Sequence, residues 1–159
     1  MEKTNASRIL ERLKIPFTLI EYKVDPDHLE ASHVAEELGQ DISTVFKTLV
    51  LHGDKTGYFV CVIQGDKEVD LKKAAKISGN KKAAMIPMKE LLPLTGYIRG
   101  GCTAIGMKKN FPVFLDENAA NLDFFHISAG KRGMQIKLNP VDYIKVTSAT
   151  LGDIKAENI

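Results

Sequence analysis

The spacing of hydrophobic residues along the chain alternates between the period of a helix and the period of a strand. In the helical segments, Thr4 or Asn5 is positioned to cap the first, Asp70 caps a later one, and Gly39 and Gly79 stand where helices should end. This pattern predicts five helices, at residues 4–14, 28–39, 70–79, 87–96 and 140–146.

Short, strongly apolar segments predict strands at residues 17–24, 44–51, 58–65, 112–116, 124–128 and 134–138. The second and third flank the turn HGDKTG, which indicates a hairpin, and both are too apolar for surface strands. Helices and strands follow one another without a regular βαβ rhythm. We therefore predict an α+β fold with a mixed, barrel-like central β-sheet surrounded by helices, in one domain over residues 1–159.

A lysine lies in the middle of the apolar segment TVFKTLVL. In a strand, Lys47 would share the more apolar face with Val45, Leu49 and Leu51. Such a lysine can extend its ammonium to the surface, protect an exposed strand from aggregation, or bind a ligand. The strand pattern alone leaves these three interpretations open.

Composition limits the classes of function. The chain has 159 residues, 44% of them hydrophobic and 26% charged, with a net charge of +2. No apolar run approaches the ~18 residues of a membrane span, and charges occupy the position of a signal peptide's apolar segment, so we expect a cytoplasmic protein without membrane contact. The charge argues against a histone-like DNA binder but leaves RNA open, because basic pairs such as Lys131 and Arg132 can meet phosphates.

The cysteines and histidines give no support to a metal site or a disulfide. Cys61 and Cys102 are far apart and in no CxxC arrangement, while His28 and His33 lack helical metal-ligand spacing. We interpret His126, within FFHIS, as a hydrogen-bonded residue of the core or its rim.

Two glycine-rich stretches are the remaining candidates for chemistry. TGYIRGGCTAIGMKK, residues 95–109, contains four glycines within eleven residues, and SAGKRG, residues 128–133, combines a hydroxyl with two adjacent cations. Such loops can direct main-chain N–H groups at an oxyanion or phosphate, although SAGKRG is equally consistent with a tight connection between strands. Together with Lys47, they predict a pocket for a small polar ligand that is anionic or bears a carbonyl group.

Several segments also carry a resemblance to a known family. KTNASRILERLKIPFTLIEY, VFKTLV, KEVDLKKAAK, TGYIRGGCTAIGMKK, LDE and SAGKRGMQI occur in the order and spacing of the YbaK/EbsC family, over nearly the whole chain. Members resemble the editing domain inserted into bacterial prolyl-tRNA synthetase. The resemblance implies a mixed barrel-like sheet with surrounding helices, no metal or organic cofactor, and removal of cysteine mischarged on tRNA(Pro).

The resemblance also implies roles for individual residues. Lys47 matches the family's essential lysine and would bind the terminal phosphate or ribose, and the substrate's own thiol would attack its carbonyl. Gly100 and Gly101 would donate main-chain N–H groups near that carbonyl. The implied substrate-binding residues are Tyr22, Thr48, Ser128, Lys131, Arg132 and Gln135. Gln135 stands where some members have aspartate, and Ala104 stands where many have proline after Thr103.

Three functions remain open on this basis. The first is deacylation of Cys-tRNA(Pro), with Cys-tRNA(Cys) as a further substrate, acting on the acceptor end with prolyl-tRNA synthetase as the partner that selects the tRNA. The second is the same reaction on another small amino acid such as alanine. The third is a non-catalytic module that binds a tRNA end or a nucleotide.

Overall fold

The computed structural model of the protein defines residues 2–157, which form five α-helices and eight strands. The helices are α1 (Asn5–Arg12), α2 (Ala31–Leu38), α3 (Leu71–Ser78), α4 (Met88–Thr95) and α5 (Pro140–Thr147). The strands are β1 (Thr18–Glu21), β2 (Phe46–Gly53), β3 (Gly57–Gln64), β4 (Ala83–Met85), β5 (Val113–Asp116), β6 (Phe125–Ser128), β7 (Met134–Leu138) and β8 (Thr150–Gly152).

All five predicted helices and all six predicted strands are present, and several ends follow the expected chemistry. Thr4 forms a capping box with Ser7, and the Asp70 carboxylate accepts the first free N–H groups of α3. Gly39 and Gly79 end their helices with φ values of 65° and 81°, which a residue with a side chain adopts at a cost.

The structure differs from the prediction in the short elements. β4 and β8 were not predicted, because three residues are too few to show a strand period. β1 is four residues long instead of eight, since its pairing with β7 ends where Glu21 meets Met134.

The strands form two sheets that adjoin along β2 and β6. The smaller is antiparallel with the order β1-β7-β6, and the larger is mixed with the order β4-β2-β3-β5-β8. An isolated bridge between Val45 and His126 joins them. The α+β class is thus confirmed, and its barrel-like character takes the form of two sheets around a shared interior.

Both faces of the larger sheet are buried. Phe46, Val50 and Val60 on one face pack into the main core between the sheets, while Leu51 and Phe59 on the other belong to a second cluster under α3. Burial on both faces explains why β2 and β3 are almost continuously apolar.

A buried carboxylate fixes the end of the chain to the larger sheet. Asp116, at the end of β5, is fully buried, and its oxygens accept from the Ile154 N–H at 3.1 Å and from the Lys155 ammonium at 3.4 Å. Ile154 is itself part of the cluster under α3. The carboxylate therefore links β5 to the segment that closes this second cluster.

We predict that Asp116→Ala lowers the free energy of unfolding by about 3 kcal/mol, because it leaves buried donors without an acceptor. Urea denaturation followed by circular dichroism measures the change. The matched control is Asp153→Ala, which removes an exposed carboxylate from its ion pair with Lys73 and should cost under about 1 kcal/mol. Equal losses in the two variants would contradict the structural role of Asp116.

Candidate active site

A cavity of about 330 Å³ lies where β2 approaches the smaller sheet. Its walls come from α2 and the loop before it, from β2, from the segment joining β4 to α4, from the first glycine-rich stretch, and from β6 and β7. This volume lies at the lower end of the range for small-ligand sites. Of the predicted site residues, those that line it are Tyr22, Lys47, Thr48, Gly100, Ser128 and Gln135.

The edge of β2 forms one wall of the cavity. All six residues from 45 to 50 line it, although alternate residues of a strand point to opposite faces. A ligand in this cavity therefore meets the strand from its side. The wall exists because β4 pairs with β2 only from Leu51 onward.

Lys47 places its ammonium in a half-buried position at this wall. Burial lowers the pKa of Lys47 from its usual value, and the charges of Glu68 and Asp66 act in the opposite direction. An ammonium that has lost part of its water attracts an anionic or carbonyl oxygen more strongly than one in bulk solvent.

The two cations expected from SAGKRG lie away from the cavity walls. Lys131 forms an ion pair with Glu2 at 2.8 Å, and the Arg132 Nε donates to the Arg99 carbonyl at 2.8 Å. Arg99 does line the cavity, a contribution that sequence reasoning missed. Arg132 thus supports the loop that carries Arg99.

The two adjacent glycines of the first loop have different surroundings. Gly100 lines the cavity with a φ of 84°. The Gly101 N–H donates to the Ile98 carbonyl at 2.9 Å, so the loop itself uses this predicted donor. A Cβ atom on Gly101 would lie 2.9 Å from the Lys131 Cα, which requires glycine for the close approach of the two loops.

Polar side chains of β6 and β7 face the cavity from the smaller sheet. Ser128 is half-buried, and its Oγ accepts from the Gly130 N–H at 3.2 Å, which leaves its hydroxyl proton for a ligand. The Gln135 Oε1 accepts from the Gln40 Nε2 at 2.8 Å. Gln40, which sequence reasoning missed, therefore fixes the orientation of Gln135.

His126 connects the two sheets at the back of the cavity. Its Nδ1 lies 3.1 Å from the Thr44 Oγ1, and the residue is 6% exposed. Burial lowers the pKa of His126, a hydrogen bond with Thr44 opposes the shift, and the charge of Lys137 adds to it. The prediction of a hydrogen-bonded core or rim residue is confirmed, and the lowered pKa favours the neutral imidazole.

The segment from β4 to α4 supplies the apolar end of the cavity, through Met85, Ile86, Met88 and Leu91. Met85 and Met88 are exposed at the mouth, at 44% and 59%. Flexible thioether side chains adapt to the shape of an apolar ligand face. The cavity thus joins a charged and polar wall to an apolar one.

Both cysteines are buried, and burial raises the pKa of each thiol to about 12. Such thiols are protonated at neutral pH and are poor nucleophiles. Across residues 2–157, no three side chains of His, Cys, Asp or Glu come together in the manner of a metal site. No helix in the same span is both long and apolar enough to cross a membrane.

This arrangement can bind and polarise a ligand that carries its own reactive group. It offers a half-buried ammonium, a hydroxyl and the main chain of Gly100 around a volume suited to a small molecule or the end of a polymer. Cys102 also lies in the cavity wall, but its thiol is protonated and therefore cannot attack as a thiolate. The groups present stabilise charge, and they suit an activated substrate.

Known proteins with similar sequences and structures point in one direction. A family model for the aminoacyl-tRNA editing domain matches residues 25–146. EbsC of Enterococcus faecalis, described as a candidate Cys-tRNA(Pro)/Cys-tRNA(Cys) deacylase, is 50% identical over 96% of this chain and 93% of its own. A proline–tRNA ligase of Cupriavidus necator is 28% identical over 83% of this chain and 24% of the ligase. A crystal structure described as a candidate trans-editing enzyme for prolyl-tRNA synthetase shares the fold, with a TM-score of 0.82, 22% identity and coverage of 99% and 100%.

We predict that Lys47 titrates below, and Lys73 above, the usual pKa of a lysine, because burial disfavours one ammonium while Asp153 stabilises the other. The ¹³Cε shifts of ¹³C-labelled lysines, followed by NMR against pH, measure both. Glu68→Gln should lower the pKa of Lys47 further, since it removes an opposing charge, and leave Lys73 unchanged. Asp153→Asn should lower the pKa of Lys73 and leave that of Lys47 unchanged. A Lys47 that titrates with the exposed lysines would contradict its half-buried placement.

Proposed function

The chain belongs to the aminoacyl-tRNA editing family, and on this basis we propose that it is a deacylase that removes cysteine from mischarged tRNA(Pro). The observation that carries the proposal is Lys47, a half-buried ammonium in a cavity whose own thiol is protonated. A site of this kind suits a substrate that is already activated and brings its own nucleophile. Cys-tRNA(Cys) carries the same ester and is a second substrate. We place the reaction in the cytoplasm, where aminoacyl-tRNAs are used.

The chemistry needs little from the protein beyond positioning and charge stabilisation. An aminoacyl-tRNA is an ester between the amino acid and the 3′-terminal ribose. The cysteine sulfur attacks its own carbonyl carbon, the new C–S bond closes a cyclic thioester, and the C–O bond to the ribose breaks. The thiol proton ends on the departing ribose oxygen, so atoms and charge balance. Holding the thiol and carbonyl in an attack geometry supplies much of the acceleration.

Lys47 and Arg99 supply positive charge to the terminal nucleotide. Both line the cavity, and the partial burial of Lys47 strengthens its attraction for the ribose and phosphate oxygens. The Lys131 ammonium is paired with Glu2, and Arg132 acts through the loop that it holds. We therefore assign phosphate and ribose binding to Lys47 and Arg99 and a supporting role to Arg132.

The remaining cavity residues orient the ester. The Gly100 main chain faces the developing negative charge on the carbonyl oxygen, and the Ser128 hydroxyl donates to the substrate. Tyr22 and the methionine-rich segment enclose the apolar parts, which are the nucleobase and the amino-acid side chain. The Gln135 Oε1 is occupied by the Gln40 Nε2, so Gln135 presents its neutral amide Nε2 donor at a position where some family members have a carboxylate.

We predict that the protein releases cysteine, and not alanine, from tRNA(Pro), because an alanyl ester has no thiol to close the ring. Single-turnover deacylation of the two substrates side by side measures this. Lys47→Ala should slow cysteine release by about 10²-fold or more, the usual loss when a charge-stabilising group is removed.

Lys72→Ala is the control for the loss of a lysine as such, since Lys72 is exposed on α3, and it should leave the rate unchanged. Alanine release would show a hydrolytic editing reaction in place of the thiol-assisted one. Binding of both substrates without release of either would show a non-catalytic module and overturn the proposal.

We further propose that a synthetase partner, prolyl-tRNA synthetase, selects the tRNA. The net charge of +2 provides few phosphate contacts beyond the acceptor end. The isolated protein should therefore deacylate cysteinyl-tRNA(Pro) and cysteinyl-tRNA(Cys) at comparable rates, and added prolyl-tRNA synthetase should favour tRNA(Pro). Strong selection for tRNA(Pro) by the isolated protein would contradict this division of labour.

A further inference from the structure

The edge of β2 that faces the cavity carries main-chain groups whose direction follows from the β2–β3 register. The Val45 carbonyl accepts from the Gly65 N–H at 2.7 Å, in continuation of that register, so odd-numbered residues direct their main-chain groups toward β3. On the opposite edge, the Val50 carbonyl accepts from the Ile86 N–H at 3.3 Å. Even-numbered residues therefore direct theirs away from β3, and Thr48 points both its N–H and its C=O to the cavity side.

Neighbouring elements leave this edge open at Thr48. The ladder with β4 begins at Leu51, and β6 reaches β2 through the bridge between Val45 and His126. In the part of the chain that the structure describes, no ladder or bridge includes Thr48 on this side, and no turn or loop hydrogen bond uses its main chain. Thr48 lines the cavity, so its free donor and acceptor are available to a ligand.

The free pair of groups matches the reacting end of the proposed substrate. In a hydrogen-bonded pair of an antiparallel sheet, the N–H of each residue donates to the C=O of the residue opposite, so the pair shares two hydrogen bonds. An esterified amino acid carries an ammonium and a carbonyl on the two sides of one Cα, as a strand residue does. One aminoacyl group therefore has the donor and acceptor that Thr48 requires.

Resting on the proposed deacylase function, we propose that the Thr48 main chain binds the aminoacyl group as one residue of an antiparallel strand. The substrate's α-ammonium donates to the Thr48 C=O, and its ester carbonyl accepts from the Thr48 N–H. Recognition of an amino acid thus comes from main-chain groups, and it extends the strand-addition mode of peptide binding to a single residue.

Two features of the cavity favour this assignment. The Gly101 N–H is used by the Ile98 carbonyl, so the glycine loop provides one donor where two were expected, and the Thr48 N–H supplies the second. The Gln135 Oε1 already accepts from Gln40, which directs that side chain's acceptor away from an incoming ammonium. The Thr48 carbonyl provides an acceptor in its place.

The geometry also places the substrate's side chain. Directly opposed strand residues project their side chains to the same face of a sheet. The amino-acid side chain would therefore lie beside that of Thr48, on the face that buries Phe46 and Val50. A small apolar surface of this kind suits a thiol.

Amide hydrogen exchange measured by NMR tests the proposal. In the free protein, the Thr48 amide should exchange at least roughly tenfold faster than those of Lys47 and Leu49, which bond to β3. The probe is 3′-deoxy-3′-(L-cysteinylamino)adenosine, in which an amide replaces the labile ester. At saturation it should protect the Thr48 amide at least roughly tenfold and leave Leu49, the matched control, unchanged.

Deacylation of cysteinyl-tRNA by the same preparation separates the two levels of the argument. Deacylation together with Thr48 protection supports the inference. Deacylation with a bound probe that leaves Thr48 unprotected overturns the inference, while the proposed function stands. A protein that neither releases cysteine nor binds the probe overturns both.

A pair of variants provides an independent measurement on the enzyme itself. Thr48→Pro removes the N–H that points away from β3. Because that N–H is not part of the β2–β3 ladder, the substitution leaves the hydrogen bonds of the ladder in place. Thr48→Val alters the side chain and keeps the main-chain donor. Cysteine release should fall at least roughly tenfold more in Thr48→Pro than in Thr48→Val. Equal rates in two folded variants would overturn the inference, and the exchange measurement decides the matter if the proline variant does not fold.

Discussion

Strand β2 pairs with β3 over all eight residues from Phe46 to Gly53, and the direction of each group at the cavity follows from this ladder. The register assigns Lys47 and Leu49 to one face and Phe46 and Thr48 to the other, and it turns alternate main-chain groups toward or away from β3. A slip of one residue would exchange these assignments and would also move apolar side chains from one core into the other, out of their present packing. The packing of both cores therefore holds the site in register.

The position of Lys47 is costly for the fold. Its pKa is lowered in the folded protein, so the charged form is less favourable there than in the unfolded chain. The resulting loss of stability is fully present below the folded pKa, and it is relieved as the pH rises from the folded pKa toward the unfolded value. Glu68 and Asp66 reduce this cost without removing it. Sites that bind charge commonly retain such unfavourable groups.

Local chemistry in the sequence was sufficient to predict the helices and the central hairpin, and it assigned Lys47 to the more apolar face of a strand without deciding what the lysine does there. Caps such as Thr4 and Asp70 and the apolar period of β2 act over a few residues, so they can be recognised without the fold. Contacts between distant parts of the chain could not be predicted in this way. The pairing of Lys131 with Glu2 joins residues far apart in sequence, and so does the contact of Gln40 with Gln135.

Main-chain directions were equally inaccessible, because they depend on which strand lies on each side. Gly100 and Gly101 illustrate this limit. The sequence indicated two main-chain donors for a ligand, but the Gly101 N–H donates to the Ile98 carbonyl within the loop. The same holds for the free edge at Thr48, which exists because β4 is short.

Burial of the two cysteines has a consequence for an enzyme whose proposed substrate carries a thiol. Disulfide exchange begins with a thiolate, and a group with a pKa of about 12 is ionised in only about one molecule in 10⁵ at pH 7. Cys102, although it lines the cavity, is therefore inert toward disulfides formed by free cysteine. The cavity can therefore bind a thiol-bearing substrate at every turnover without Cys102 forming a mixed disulfide that would block it.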